Sequence, residues 1–315
     1  MILLCGVPSE RPLAMVAAEL EALGTPYLMF NQRTVAQCTL AWQIRRGTVS
    51  GTLHLDGTDH ALPGIDAAYV RLMDDRVLPE LRDEPPDSPA RLQSRGFHDA
   101  LYQWLEIAPG RIVNRAEPQG SNGSKPYQAQ LIAAHGFFVP ETLITNDPLA
   151  VLEFQRRHGT VIYKSISAVR SIVHALDADD LSRLDRIRWC PVQFQALVPG
   201  VDIRVHVVGR AVFATEIVSD RIDYRYARKM GGTAELRETE LSPELAARCV
   251  ALAAELGLPF VGIDLKRTPD GEFYCFEVNP CPAFSYFEAN TGQPIARAVA
   301  QYLAQYLGGS NSVTT

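Results

Sequence analysis

A predicted β-hairpin that carries two carboxylates constrains this chain more than any other feature of its sequence. Residues 261–280 read VGIDLKRTPDGEFYCFEVNP. The segment Thr268-Pro269-Asp270-Gly271 has Pro at its second and Gly at its fourth position, as tight turns prefer. Pairing Arg267 with Glu272 across this turn predicts two antiparallel strands and fixes which residues lie opposite each other.

Side chains alternate between the two faces of a strand, so this register predicts one apolar and one polar face. The apolar face would carry Val261, Ile263, Leu265, Tyr274, Phe276 and Val278. The polar face would carry Asp264, Lys266, Glu277 and Asn279. With Asp264 opposite Cys275, the Asp264 and Glu277 backbones are diagonal neighbours about 7–8 Å apart, and we expect their carboxylates to converge.

Two converging carboxylates repel each other unless a positive charge lies between them. Asp264, Glu277 and Asn279 offer oxygen ligands without Cys or His, which is the donor set that suits a hard cation such as Mg²⁺. The sequence therefore predicts a metal site on these three residues. The alternative is a solvated hairpin face.

The composition is that of an ordinary globular protein and excludes several classes of function. The 315 residues are 47% hydrophobic and 21% charged, which leaves room for two or three lobes. A net charge of −6 gives no electrostatic footprint for nucleic acid or an anionic membrane. No apolar run approaches the roughly 18 residues that span a bilayer, and the N-terminus lacks a secretory pattern. Six scattered cysteines without a CxxC pair favour a reduced, cytoplasmic setting.

Strand and helix signals divide the chain into three predicted lobes and a tail. Residues 1–110 have α/β signals. The predicted strands are Ile2–Val7, Pro26–Phe30, Thr48–Leu55 and Ala67–Leu72, and a helix is predicted at Arg91–Ile107. The strands Thr48–Leu55 and Ala67–Leu72 are predicted to be antiparallel. Residues 111–195 and 196–308 form two further lobes, and residues 309–315 are predicted to be a disordered tail. In these two lobes the clearest elements are strands at Val161–Lys164, Val192–Ala196, Val201–Val208 and Ala211–Val218, a helix from Asp147 to His158, and a helix at Pro243–Leu256.

Two further polar features suit an anionic ligand. Asp202, Arg204 and His206 alternate with apolar residues on a predicted strand, and an Arg there fits a planar anion such as phosphate. An Asp–Arg pair on an exposed sheet face is the alternative. Lys164 ends a predicted strand just before a loop of small residues, where its charge could reach a phosphate.

Several short segments follow one another in an order that is found in a known superfamily. They are Ser124-Lys125, His135–Thr142, Lys164, Phe194-Gln195, Asp202–Arg204, Val208-Gly209, Asp223–Arg225, Gly231-Gly232, Gly262–Leu265, Glu277–Pro280 and Thr291–Ile295. In this order they resemble the ATP-grasp superfamily, in particular the RimK-type ligases and the ligases that cross-link ribosomal peptides into graspetides. The resemblance runs from about Arg111 to Leu307.

The resemblance implies an α/β (α+β) ATP-grasp fold in which two α+β lobes hold ATP between them. The central lobe would be residues 111–195, and the C-terminal lobe with the Mg²⁺ site would be residues 196–308. Residues 1–110 would form a Rossmann-like lobe that precedes them. Family members are often dimers or tetramers, so the resemblance also implies a homo-oligomer.

The resemblance also implies roles for single residues in binding ATP. Lys125 and Lys164 would reach its phosphates, and Asp202 would lie near its ribose. The backbone at Gln195, Ala196, Leu197 and Val198 would hydrogen-bond adenine.

At the reacting end, Asp264, Glu277 and Asn279 would hold two Mg²⁺ ions, with Mn²⁺ as an alternative metal. Arg204 and Arg225 would stabilise an acyl-phosphate formed from ATP and a substrate carboxylate. An amine, or a hydroxyl in ester-forming members, would then displace phosphate.

Three segments depart from the family pattern. The residue after Gln195 is commonly Glu but is Ala196 here, which removes a polar contact to adenine. The loop 165–170 lacks the usual glycines. The segment 281–286, CPAFSY, replaces the small-Gly-Gln-Trp segment of peptide-modifying relatives, so the substrate next to the metals would differ.

These features predict an ATP-dependent carboxylate–amine ligase for a peptide or amino-acid-like substrate, with no nucleic-acid or membrane partner. Four alternatives stay open at this point. They are a ligase that forms ester or amide macrocycles in a ribosomal precursor peptide, a small-molecule kinase, a nucleotide-binding module without turnover, and a metal-dependent nuclease.

Overall fold

The computed structural model describes residues 1–164, 174–219 and 234–305. Its strands are β1 (Ile2–Gly6), β2 (Tyr27–Asn31), β3 (Thr39–Arg45), β4 (Thr48–Leu55), β5 (Thr58–Ala61), β6 (Ala67–Arg71), β7 (Arg111–Val113), β8 (Thr142–Thr145), β9 (Val161–Lys164), β10 (His174–Ala175), β11 (Val192–Ala196), β12 (Val201–Val208), β13 (Ala211–Ser219), β14 (Ala234–Thr239), β15 (Phe260–Arg267) and β16 (Phe273–Asn279). Its helices are α1 (Arg11–Ala22), α2 (Pro89–Ile107), α3 (Ala116–Gln119), α4 (Lys125–Ala134), α5 (Pro148–His158), α6 (Ala178–Ser182), α7 (Pro243–Glu255), α8 (Ser285–Thr291) and α9 (Ile295–Ala304). Within those ranges no helix is both long and apolar enough to cross a bilayer.

The described chain divides into two compact units. The first unit comprises residues 1–119 and 257–260 together with the described residues from 283 onward. The second unit comprises residues 120–256 and 261–282 within the described ranges. The second unit therefore contains the carboxylate hairpin and every described residue for which a role in ATP or metal binding was predicted.

A four-stranded parallel sheet in the order β2-β1-β6-β7 forms the centre of the first unit. The prediction that the strand at Ala67–Leu72 is antiparallel is wrong, because β6 pairs in parallel with both β1 and β7. Every residue of β1 and of β6 is buried. Parallel strands are covered on both faces, so they form continuous apolar runs.

Helix α2 and a small antiparallel sheet complete one side of this core. The inward face of α2 contributes Leu101, Trp104 and Leu105 to a cluster that also holds Leu3 of β1. The small sheet has the order β3-β4-β5, and only β4 was predicted from the sequence. Leu53 of β4 joins the same cluster, which links the small sheet to the parallel sheet.

The first sheet of the second unit is antiparallel, with the order β10-β9-β11-β8. Helix α5 begins after Asp147, whose side chain accepts a hydrogen bond from the backbone N–H of Leu149 and so caps the helix. Val151 and Phe154 of α5 pack on one face of this sheet with Phe194 of β11. Because side chains alternate along a strand, the neighbours of Phe194 in β11 point to the opposite face.

The second sheet of this unit has the order β14-β13-β12-β15-β16. Strands β12 and β13 form a hairpin whose connection is Gly209-Arg210, with Gly209 in the left-handed region at φ 57°. The strands β15 and β16 are the predicted carboxylate hairpin.

Candidate active site

The two hairpin carboxylates lie directly opposite each other. Asp264 of β15 pairs with Glu277 of β16, so the predicted register with Asp264 opposite Cys275 is wrong. Two local features account for the difference. The connection is one residue longer than expected, so that Arg267 pairs with Phe273 rather than with Glu272. A β-bulge then shifts the register again next to Asp264, because a bulge sets two residues of one strand against one of the other.

The bulge also changes which residues of β16 share a face. Cys275 pairs with Leu265 and is buried, whereas Tyr274 pairs with Lys266 on the polar face. Phe276 is the extra residue, and its ring centroid lies 6.0 Å from the Lys266 Nζ. The prediction that Tyr274 and Phe276 belong to the apolar face is therefore wrong. The alternation changes phase at the bulge, and Cys275 takes the buried position.

Each acidic side chain of the predicted site forms an ion pair with a basic one. The Arg204 Nη1 lies 2.6 Å from the Asp264 Oδ1, and the Lys125 Nζ lies 2.5 Å from the Glu277 Oε1. On the same sheet the Lys266 Nζ lies 3.1 Å from an oxygen of Asp202. These pairs balance the repulsion expected between neighbouring carboxylates without any metal ion.

Arg204 is held against the hairpin by close packing. A Cβ atom at Gly262 would lie 2.0 Å from the Arg204 Nη2, so only glycine leaves room for the guanidinium group. The alternative of an exposed Asp–Arg pair is wrong, because Arg204 is buried and pairs with Asp264. His206, two residues further along β12, is fully buried. Burial, and to a smaller extent the charge of Arg204, hold the pKa of His206 well below its usual value, which keeps the ring neutral.

Helix α4 brings Lys125 to the hairpin. The Gln128 Nε2 donates to the Val278 carbonyl at 2.9 Å, and the Gln128 Oε1 accepts from the Val278 N–H at 3.0 Å. This double hydrogen bond ties the first turn of α4 to β16, one residue from Glu277. The Lys125 Nζ also donates to the Asn122 Oδ1 at 2.9 Å, which fixes its position.

The donor set fits a hard cation such as Mg²⁺. In the part of the chain that the structure describes, no group of three or more His, Cys, Asp or Glu side chains could hold a metal ion. The predicted set has two carboxylates, Asp264 and Glu277, and the amide of Asn279. The Asn279 Oδ1 accepts a hydrogen bond from the Cys281 N–H at 2.9 Å, which orients the amide at the end of β16. Oxygen ligands of this kind leave room for phosphate oxygens to complete the coordination of Mg²⁺.

A cavity of about 360 Å³ lies beside the Lys125–Glu277 pair within the second unit. It is lined by Lys125, Pro126, Ala129, Gln130, Val139, Pro140, Glu141, Thr142, Ile144, Lys164, Gln193, Gln195, Cys275 and Phe276. It therefore combines two lysines and one glutamate with apolar side chains and amides. Cavities of this size and composition suit a small organic ligand that carries an anionic group.

The backbone that was predicted to bind adenine is partly engaged already. The N–H of Ala196 donates to the Glu141 carbonyl and that of Leu197 donates to the Thr160 carbonyl, each at 3.0 Å. The Gln195 Nε2 donates to the Thr142 Oγ1 at 3.0 Å. The N–H groups of Ala196 and Leu197 are thus already engaged and would not donate to a base.

The structure brings Asp264, Glu277, Arg204 and Lys125 together in ion pairs at the hairpin. It places Lys125, Lys164 and Gln195 around the cavity, together with residues that were not predicted. Arg225, the loop 165–170 and Gly231-Gly232 lie outside the described residues. Sequence reasoning missed Gln193 and Phe276 as cavity residues. Gln193 had a signal, because it stands two residues before Gln195 and so shares its face of β11. Phe276 had none, because its position depends on the bulge.

Comparison with known proteins identifies the family. The model of the RimK-like ATP-grasp domain matches residues 124–303, which is more than half of the chain. The chain belongs to the RimK-like ATP-grasp family. This confirms the resemblance found in the sequence and the predicted ATP-grasp fold, and the match includes the carboxylate hairpin, Lys125 and Arg204.

Curated relatives of this RimK-like chain are named probable alpha-L-glutamate ligases. One from Xanthomonas oryzae pv. oryzae (strain MAFF 311018) is 32% identical over 194 residues, which is 56% of this chain and 62% of the relative. Another from Parasynechococcus marenigrum (strain WH8102) is 26% identical over 226 residues, which is 66% of this chain and 47% of the relative. The chain thus matches between about half and two thirds of the length of these relatives.

Solved structures match nearly the whole RimK-like chain. The ATP-grasp ligase PsnB, solved with a phosphomimetic variant of its minimal precursor, Mg and ADP, is 27% identical with a TM-score of 0.78. The match covers 97% of this chain and 98% of PsnB. The macrocyclase MdnC from Microcystis aeruginosa MRC, bound with precursor peptide MdnA, has a TM-score of 0.79 at 21% identity, over 96% of this chain and 99% of MdnC. The second match shows the fold alone.

Proposed function

We propose that this chain is an ATP-dependent ligase that joins a carboxylate to an amine through an acyl-phosphate, on a peptide or amino-acid-like substrate. One observation carries the proposal. Asp264 and Glu277 lie directly opposite each other, each beside a basic group, and one of those groups, Lys125, also lines the cavity. Membership of the RimK-like ATP-grasp family and the names of the relatives support the same activity.

The cavity would bind the nucleotide. Lys125 and Lys164 supply positive charge for its phosphates, and Phe276 supplies apolar area for its base. Gln195 and the backbone after it would contact the edge of the base. Asp202, held by Lys266, would receive the ribose.

Asp264, Glu277 and Asn279 would hold Mg²⁺, for which we propose two ions with Mn²⁺ as an alternative. When bound, the metal supplies charge neutralisation for the phosphate oxygens. The protein's own part is to hold the two carboxylates in place, facing each other. The guanidinium of Arg204 and the ammonium of Lys125 do this through their ion pairs.

Arg204 is also suited to bind the activated carboxylate, with Arg225 as its proposed partner. A carboxylate oxygen of the substrate attacks the γ-phosphorus of ATP and ADP leaves, which forms the acyl-phosphate. The amine nitrogen then attacks the acyl carbon, loses a proton, and releases phosphate. Arg204 would offset negative charge in both steps. No protein nucleophile is needed.

A second candidate is macrocyclisation of a ribosomal precursor peptide, with an ester or amide product. The observation that favours it is the extent of the structural matches. PsnB, which was solved with a precursor, matches 97% of this chain at 27% identity. That match extends over the first unit, which would take part in recognising a precursor peptide if this chain is a macrocyclase.

The test is ADP release with Mg²⁺ against single amino acids, short acidic peptides, and any small precursor peptide encoded beside this protein. Hydroxylamine in parallel reactions traps an acyl-phosphate as a hydroxamate. The double variant Asp264→Asn/Glu277→Gln serves as the blank, since it keeps the shape of both side chains and removes both charges.

A ligase releases ADP only when a carboxylate and an amine are both present, and its product is one water lighter than their sum. A macrocyclase acts on the precursor alone and lowers the mass of that one molecule by a water for each cross-link. ADP together with a stable phosphorylated product would instead assign a kinase. Nucleotide binding without turnover of any substrate would contradict a ligase and favour a binding module.

A further inference from the structure

A buried amide on the wall of the cavity has no partner for its oxygen. Gln193 of β11 is 2% exposed, and its side chain lines the cavity. The Gln193 Oε1 accepts no hydrogen bond. Leaving a buried acceptor unsatisfied costs about 1–3 kcal/mol, so native proteins usually provide a partner.

The strand register places the Gln193 side chain on the sheet face that lines the cavity. Gln193 pairs with Lys164 of β9 on one side and with Ile144 of β8 on the other. All three side chains line the cavity. Gln195 lies two residues further along the same face, and its amide nitrogen is engaged by Thr142. Gln193 is therefore positioned between a cationic side chain and an apolar one, at the centre of the sheet face.

The missing partner has to be a hydrogen-bond donor. Phosphate oxygens only accept, so they cannot satisfy the Gln193 Oε1. The donors of ATP are its ribose hydroxyls and the 6-amino group of its base. The apolar side chains of Ile144 and Phe276 in the same cavity suit the flat faces of an aromatic base better than a ribose, which is polar all round.

We propose that the Gln193 Oε1 accepts a hydrogen bond from the exocyclic 6-amino group of adenine, and so makes Gln193 a residue that selects the base. This inference rests on the proposed function, because it needs a nucleotide in the cavity. It goes beyond that function by giving Gln193 a role in specificity. A site built around a buried acceptor discriminates against a ligand that lacks the donor, because the acceptor is then left unpaired.

The test compares the binding of two nucleotides by calorimetry, with Mg²⁺ and without a carboxylate substrate. One is ATP, and the other is purine riboside 5′-triphosphate, which carries hydrogen in place of the 6-amino group. The wild-type chain should bind ATP about tenfold more tightly. In Gln193→Met, which keeps length but replaces the amide oxygen with a thioether that accepts only weakly, the two dissociation constants should become equal within about twofold. In Gln193→Glu, which keeps an acceptor, the preference for ATP should remain.

Gln301→Met is the matched control, because Gln301 is exposed on α9 and does not line the cavity. It should keep the tenfold preference. Thermal melting of each variant establishes that it is folded. If wild-type protein binds both nucleotides equally, or if Gln193→Met keeps the preference, the inference is overturned while the proposed function stands. In parallel titrations with 2′- and 3′-deoxy-ATP, a loss of affinity for either of these but not for purine riboside 5′-triphosphate would overturn it in favour of a ribose contact. If no nucleotide binds, the proposed function is overturned together with the inference.

Discussion

The two units of this protein both contain arginine–carboxylate pairs, but the pairs differ in how far water reaches the carboxylate. In the first unit, Asp75 pairs with Arg91 and is 9% exposed. In the second unit, Asp264 pairs with Arg204 and is 28% exposed. The side chains of the two arginines are equally buried, each with 7% of its surface exposed. The arginine is fixed in both places, and only in the second unit is its partner accessible to a ligand.

The surroundings of the two arginines show the same contrast. Arg91 also donates to the backbone carbonyls of Leu81 and Glu84, at 2.6 and 2.9 Å, so it binds the loop before α2 to that helix. Arg204 lies instead against Gly262, next to a carboxylate pair and near the cavity. The comparison suggests a structural role for the first pair and an exchangeable, functional role for the second. A substitution in the first pair should therefore lower stability, whereas one in the second pair should lower turnover.

The largest effect is expected at the hairpin carboxylates. Asp264→Asn keeps an acceptor for Arg204 but removes the charge proposed to hold Mg²⁺. Because metal-assisted stabilisation is worth several kcal/mol, we expect ADP release with substrates to fall about 1000-fold, or about 4 kcal/mol. Steady-state kinetics over a range of Mg²⁺ concentrations measures the loss.

Glu235→Gln is the control for this variant, because Glu235 is an exposed carboxylate of β14 in the same sheet, paired with Arg237. It should leave turnover within about twofold of wild type, since exposed pairs contribute little. Equal rates for Asp264→Asn and wild type would show that the Asp264 carboxylate has no role in turnover.

A smaller effect, on stability rather than on turnover, is expected in the first unit. Asp75→Asn leaves Arg91 buried without a charged partner, and breaking a buried pair in this way costs about 3 kcal/mol. The urea midpoint followed by tryptophan fluorescence should fall accordingly, because Trp104 is buried in that unit. The affinity for ATP should not change.

Asp99→Asn is the matched control, because Asp99 lies on the same helix as Arg91 but its side chain is 78% exposed. It should change the free energy of unfolding by less than about 0.5 kcal/mol. If both variants lost stability equally, burial would not be what separates these carboxylates.

The sequence predicted those elements whose signals are local. Strand β11 has the predicted bounds, and α5 begins after the predicted Asp147 cap. Helix α7 ends one residue before its predicted end at Leu256. A cap, a run of alternating side chains and a helical period are each contained in a few consecutive residues, so they can be read without knowing the fold.

The sequence did not predict features that depend on distant partners. The bulge beside Asp264 is set by the pairing of two whole strands, and it changed both the register and the buried face. Likewise, β6 alternates weakly in sequence but is buried on both faces in a parallel sheet. For the site, the residue types of Asp264, Glu277 and Arg204 indicated the chemistry. Their pairing with one another, and the free acceptor of Gln193, required the structure.

A third prediction separates binding from stability at Lys125. Lys125→Met removes the cation beside Glu277 but keeps most of the side-chain volume. Since Glu277 is 25% exposed, water can replace the lost partner, and the free energy of unfolding should change by less than about 1 kcal/mol. The affinity for ATP, in contrast, should fall about tenfold, because the proposed contact between Lys125 and a phosphate is lost. Calorimetry and urea unfolding of the same preparation measure both values. A loss of stability as large as that of Asp75→Asn would contradict the proposed difference between the two units.

The smallest effect is the pH dependence that Asp75 of the first unit contributes to stability. Burial acts to raise the pKa of Asp75, but hydrogen bonds from Arg95 and Arg91 outweigh it and hold that pKa below its usual value. A carboxyl with a lowered pKa in the folded state contributes stability that is fully present above its unfolded pKa of about 3.9. That stability is lost as the pH falls through the folded pKa.

Wild-type protein should therefore lose more stability between pH 5 and pH 3 than Asp75→Asn does, because the variant has no carboxyl to protonate at this position. Urea unfolding at several pH values, followed by tryptophan fluorescence, gives the two slopes. Parallel slopes would mean that Asp75 titrates alike in the folded and unfolded chain. Its ion pair would then resemble an exposed one, and the contrast between the buried pair of the first unit and the accessible pair of the second would have to rest on geometry alone.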